Sequence, residues 1–104
     1  MPDLSPEDQK LVTLARATMA RTGAGEGAAV RDLDGRTYAA AAVALEHLVL
    51  GALEVCVAMA VSSAARGLEA AVWLGEGEPD LAAVHDLGGP GGVIHLGDPR
   101  GRIA

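Results

Sequence analysis

From Leu48 to Val61 the chain carries a single charged residue, Glu54. That run is roughly five residues short of the ~20 needed to cross a bilayer, so it predicts a buried helix rather than a membrane span. The helix is expected over about Leu50–Ala65, closed by Gly67 as its C-terminal cap. Leu53, Val55, Cys56, Val57, Met59, Ala60 and Val61 point in every direction around it. A helix apolar all round is buried all round. A chain of 104 residues forms one domain, residues 1–104, and a domain of that size rarely hides a whole helix by itself. One side is therefore expected on the chain's own sheet and the other on a second subunit, making a homo-oligomer.

Composition narrows the function classes. Half of the residues are hydrophobic, yet only Trp73 and Tyr38 are aromatic and phenylalanine is absent, so small side chains must fill the interior. Eight basic residues against fourteen acidic ones leave a formal charge of −6. Nucleic-acid binding needs clustered Lys and Arg to replace phosphate counterions, so no nucleic-acid partner is expected. Cys56 is the lone cysteine, which excludes an internal disulfide framework and any zinc site built from several cysteines. The first eight residues lack the basic start and apolar run of a signal peptide, so the expected location is cytoplasmic.

Local signals order the elements. Ser5, Pro6, Glu7 and Asp8 open a helix, because serine caps, proline suits the first position and acids favour the positive end of the dipole. Leu11, Val12, Ala15, Thr18 and Met19 repeat at helical spacing up to a stop near Gly23. Gly27–Arg31 reads as a strand, Asp32–Gly35 as a tight turn, and Arg36–Val43 as the returning strand. After the apolar helix come a strand over Glu69–Leu74 and an acidic loop. A short helix is expected over Pro79–Leu87, stopped by Gly88-Gly89-Pro90, then a strand over Val93–Leu96 and a turn over Asp98–Gly101. The order α-β-β-α-β-α-β makes an α/β fold with a mixed sheet of four to five strands and helices packed on it.

This order resembles the cytidine deaminase family. The features that carry the resemblance are Gly27-Ala28-Ala29-Val30, the turn Asp34-Gly35-Arg36, a buried helix over Gly51–Ala65, the apolar strand Ala70–Leu74 and the later turn Asp98-Pro99. The resemblance implies a layered deaminase-like fold and assembly as a dimer or tetramer through the Leu50–Ala65 helix. It also implies zinc, held by a Cys/His-Ala-Glu triplet at the start of the second helix and a Pro-Cys-x-x-Cys opening the third. Zinc acidifies a bound water and the Glu moves its protons. Anchored on Gly51, the triplet falls on Val55-Cys56-Val57, and the third helix opens Pro79-Asp80-Leu81-Ala82-Ala83, without a cysteine. The family's substrate-recognising Asn-x-Glu has no counterpart, since the chain contains no asparagine. Its place falls on Ala42-Val43-Ala44 or Ala44-Leu45-Glu46, and Glu46 alone retains a family role, as a ribose hydroxyl acceptor.

No catalytic residue is therefore assigned, and no cofactor is expected, because the ligands for the family's zinc are missing. A non-standard metal set of His47, Cys56 and His85 is the alternative, although no two of them have the spacing of a ligand pair. Cys56 in an apolar helix is a poor thiolate, and Ser62 and Ser63 sit within a helix, where hydroxyls bond to backbone carbonyls. Two glycine-rich segments, 23–27 and 88–92, precede strands rather than helices and so are not phosphate loops. The expected function is a deaminase-like scaffold without deaminase activity, working through interaction or regulation; the alternative is a cytidine deaminase or metal-dependent hydrolase using that non-standard set. A metal-free binder using the old pocket stands between them.

Overall fold

The computed structural model describes residues 4–89 and 92–104; Pro90 of the expected glycine-proline stop lies outside them. The first helix, α1 (Pro6–Thr22), begins as its sequence dictates. Ser5 Oγ accepts the Asp8 N–H at 3.1 Å, and Glu7 and Asp8 occupy the first turn. It ends at Gly23, whose φ of 73° is the left-handed conformation that glycine adopts without steric cost. Strands β1 (Gly27–Asp32) and β2 (Thr37–Ala41) form the expected hairpin, with Ala29 opposite Ala39.

The returning strand is shorter than Arg36–Val43. It stops at Ala41, and Val43–Leu45 (β3) leaves the sheet to pair with Leu48–Leu50 (β4) as a separate two-stranded hairpin. Three apolar residues on each side of Glu46-His47 suit a two-residue connection, but that pair lacks the Asn-Gly or Asp-Gly signature that reveals such a turn. Because β4 takes Leu48–Leu50, the apolar helix α2 starts two residues later than expected, at Ala52, and runs to Ser62.

Gly67 does not cap α2. Ser63 does, and the next residue, Ala64, adopts a left-handed φ of 66°. The Ala64 N–H reaches the Val61 carbonyl at 3.0 Å and the Ala65 N–H the Ala60 carbonyl at 2.9 Å, the bond pattern of a Schellman ending. An alanine pays the left-handed penalty that glycine avoids. Ala64→Gly is therefore expected to stabilise the protein by about 0.5–1 kcal/mol, read as a raised midpoint in urea unfolding.

Strand β5 (Leu68–Leu74) is followed by α3 (Ala82–Gly88) and β6 (Val93–Gly97). The short helix α3 begins three residues after Pro79, because Asp80 turns back to accept the Ala82 N–H at 2.9 Å. The main sheet has the order β2-β1-β5-β6, antiparallel except for the parallel pair β5–β6. The Asp98–Gly101 turn forms as expected, with Asp98 Oδ1 accepting the N–H groups of Arg100 and Arg102. The mixed α/β class and layered arrangement are as expected, with the β3–β4 hairpin added.

Helices cover both faces of the sheet. On one, Leu11, Val12 and Ala15 of α1 pack on Ala29, Ala70 and Val72; on the other, Leu53, Cys56 and Ala60 of α2 pack on Ala28, Val30 and Trp73. Alternation along β1 explains both, since Ala28 and Val30 face one way and Ala29 the other. Alanine on the strands lets both helices come close. α2 is not buried all round within the chain: Ala58 and Ser62 are exposed, and Val61 retains 55% of its accessible surface. On the β3–β4 hairpin, Leu45 and Val49 are also exposed. Among the described residues no helix is long and apolar enough to cross a membrane.

Candidate functional site

The first N–H groups of a helix have no partner inside it and favour negatively charged acceptors. At α2 two carboxylates supply them. Glu54 Oε1 accepts the Gly51 N–H at 2.7 Å, and Glu26 Oε2 accepts the Ala52 N–H at 2.9 Å. The same Glu26 oxygen accepts Trp73 Nε1–H at 3.1 Å. Glu26 comes from the segment between α1 and β1, and Trp73 from β5, where it is buried. Gly75 closes over this contact: a Cβ there would stand 2.6 Å from Trp73 Cζ2 and 3.1 Å from Glu26 Cβ.

Two openings flank Glu26. A pocket of about 170 Å³ between α2 and the loop before α3 is lined by Glu26, Glu54, Glu76, Glu78 and Asp80, with Trp73 at its wall. No basic side chain lines it. A shallower depression of about 510 Å³ lies on the other side, bounded by Met19, Ala24, Ala42 and Pro99. Glu26 and Glu76 border both. The surrounding negative charge disfavours anions and leaves no positive group to hold a phosphate.

The residues singled out from the sequence lie elsewhere. Glu46 and His47 form the exposed tip of the β3–β4 hairpin, and His85 is exposed on α3. Cys56 lies on the buried side of α2, where its Sγ donates to the Tyr38 carbonyl at 3.6 Å. Burial pushes its thiol up to about 12, leaving negligible thiolate near neutrality. The structure thus does not gather His47, Cys56 and His85, and among the described residues no three His, Cys, Asp or Glu side chains are arranged to hold a metal ion. Val55-Cys56-Val57 sits a turn inside α2, so the helix start is Ala52-Leu53-Glu54. Ser62 and Ser63 close the same helix and are exposed.

The donors at the amino ends of α2 and α3 are carboxylates, three of which (Glu26, Glu54 and Asp80) already hold backbone N–H groups, with neither thiolate nor imidazole among them. This set does not fit the zinc that the family implies, which takes two or three thiolates. Glu26 and Trp73 carry no motif. Glu26 stands in a glycine-rich segment, and only the folded chain brings it to Trp73.

Two further ionic clusters are structural. Asp32 is fully buried and accepts the N–H groups of Asp34 and Arg36, both at 2.9 Å, together with Arg36 Nε–H and the Tyr38 hydroxyl, both at 3.0 Å. From the next residue along β1, on the opposite face of the sheet, Arg31 joins Asp8 of α1 at 2.8 Å, and Asp8 also meets His95 of β6 at 2.9 Å. Burial pushes the Asp8 carboxyl up, but hydrogen bonds from Arg31 and His95 outweigh it and hold the group below the usual range. Arg31 also meets Glu69, which has no partner of its own in the ladder because Arg31 and Asp32 pair with Ala70 and Leu68. These contacts tie α1 to three strands and line neither opening.

Among curated proteins none matches this chain. Its fold is similar to that of cytidine deaminase from Burkholderia pseudomallei, at 20% identity, covering 97% of this chain and 91% of that one with a TM-score of 0.80. It is similar also to cytidine deaminase from Mycobacterium leprae, at 19% identity, with 98% and 93% covered and a TM-score of 0.70. A family model described as cytidine deaminase-like matches residues 4–101. With that match over nearly its whole length, and with the layered sheet and helices described above, the chain belongs to the cytidine deaminase-like family.

Proposed function

We propose that this protein is a cytidine-deaminase-like scaffold without zinc-dependent deaminase activity, working as an oligomer in interaction or regulation. The observation that carries the reading is the donor set at the amino ends of α2 and α3, where carboxylates stand and thiolates do not. Hydrolytic deamination needs a water made acidic by the metal and a side chain to move its protons. Glu54 lies in the first turn of α2, but its Oε1 is engaged by the Gly51 N–H. Exposed Val61 on α2, with exposed Leu45 and Val49 on the β3–β4 hairpin, supports association with a second copy, into a dimer or tetramer, because these side chains favour burial. A cytoplasmic setting belongs to the same reading and suits the free thiol of Cys56.

Elemental analysis of protein purified without chelators, with solution mass and cytidine turnover measured on the same sample, tests this. The expected result is zinc well below one equivalent per chain, a mass of two or four chains and no turnover above background. Stoichiometric zinc with turnover would overturn it, and a monomer at micromolar concentration would remove the oligomer.

A further inference from the structure

Trp73 Nε1–H and the Ala52 N–H converge on one oxygen of Glu26 from two separate elements, β5 and the amino end of α2. Two donors aimed at one point make a place for an oxygen ligand, and here the chain supplies the oxygen itself. Glu26 also stands where the 170 Å³ pocket meets the 510 Å³ depression, bordering both. Gly75 packs against the Trp73 ring and the Glu26 Cβ so closely that no side chain fits there. We infer that Glu26 is a built-in plug, its carboxylate filling the donor pair of Ala52 and Trp73 and walling the inner pocket off from the open depression, so that the site is closed to outside ligands.

Truncating Glu26 would free both donors and join the two openings. Charge runs against the plug's own position, since Glu54, Glu76, Glu78 and Asp80 line the same pocket. The two convergent hydrogen bonds hold Glu26 in place despite them. A free anion meets the same repulsion, so the probe must be small and the other carboxylates screened. The inference rests on the non-catalytic reading, in which this opening has no metal to serve. Metal content and turnover test that reading, whereas the measurements below test only the plug.

Trp73 is the only tryptophan, so all indole emission comes from the residue that donates to Glu26. Formate replaces chloride at a constant ionic strength of about 0.5 M, where the screening length falls to a few ångströms. Glu26→Ala is expected to show a saturable, formate-dependent change in Trp73 emission. The wild type and Glu26→Gln, which keeps an acceptor oxygen, are expected to show none. Exchange of the Trp73 indole N–H, followed by NMR, should be at least tenfold slower in the wild type than in Glu26→Ala, with formate restoring the protection. A wild type that responds to formate as Glu26→Ala does, or a Glu26→Ala protein that ignores it, overturns the plug. Should Glu26→Ala fail to fold, the wild type and Glu26→Gln decide: an indole N–H exchanging at the rate of free indole in the wild type overturns the inference, and protection shared by both supports it.

Discussion

Replacing Asp32 by alanine is expected to destabilise the protein by about 3 kcal/mol, the cost of leaving several part-buried donors without their one buried acceptor. The side chain is fully buried and serves the N–H groups of Asp34 and Arg36, the Arg36 guanidinium and the Tyr38 hydroxyl. Arg36 is half exposed and can turn to water, so the loss falls on the two N–H groups and on Tyr38. Asp32→Asn retains an acceptor and should cost about 1–2 kcal/mol. Urea unfolding of the three proteins checks the order, and a loss below about 0.5 kcal/mol for Asp32→Ala would show that water replaces the carboxylate.

The same substitution has a pH signature. Burial pushes the Asp32 carboxyl up, but the Arg36 N–H, the Tyr38 hydroxyl, the Asp34 N–H and the Arg36 charge together hold it below the ordinary range. A carboxyl with a lowered native value contributes its full stability above the unfolded value, near ~3.9. That contribution is lost as pH falls through the native value. The stability gap between wild type and Asp32→Asn is therefore expected to be constant from neutral pH down to mildly acidic conditions, then to narrow below about pH 4. A gap that widens on acidification would contradict this assignment.

Gly27→Ala is expected to have the second large effect, a loss of about 2–3 kcal/mol from overpacking. A Cβ at Gly27 would lie 2.7 Å from the Ala15 carbonyl oxygen and 2.5 Å from Met19 Cγ. Met19 can rotate away, but the Ala15 carbonyl is helix backbone and cannot, so α1 must lift from β1. Glycine is needed here for close approach rather than for an unusual φ. Reducing the neighbouring side chain separates the two contacts. Gly27→Ala combined with Met19→Ala should recover only part of the loss, because the carbonyl contact remains. Full recovery would place the whole effect on Met19.

That no site of several thiolates can form was legible from a count of residues. One cysteine cannot supply two thiolates, and no folding changes that count. The caps of α1 and the Asp32–Gly35 turn were equally legible, because Ser5 with Asp8, and Asp32 with Gly35, act within one turn of chain. The Glu46-His47 connection was not, since it lacks turn residues that announce it, and an apolar triplet reads equally as helix or strand. That ambiguity displaced the start of α2 and made Glu46 a candidate ribose acceptor and His47 a candidate metal ligand, when the two residues form the tip of an exposed hairpin.

The family's layered fold, the order of most elements and the lack of a thiolate set were thus determined by the sequence alone, because periodicity, caps and residue identity are local or countable. The tertiary structure decided which side of α2 stays uncovered, that Cys56 faces the sheet, and that Asp32 gathers its turn beneath α2's carboxyl end through Arg36 and Ser63. It also decided the meeting of Glu26, Ala52 and Trp73. Glu26 and Trp73 are 47 residues apart, and no spacing rule links them. Their contact exists because β1 and β5 are neighbours in the sheet and α2 begins above them, a juxtaposition set by packing.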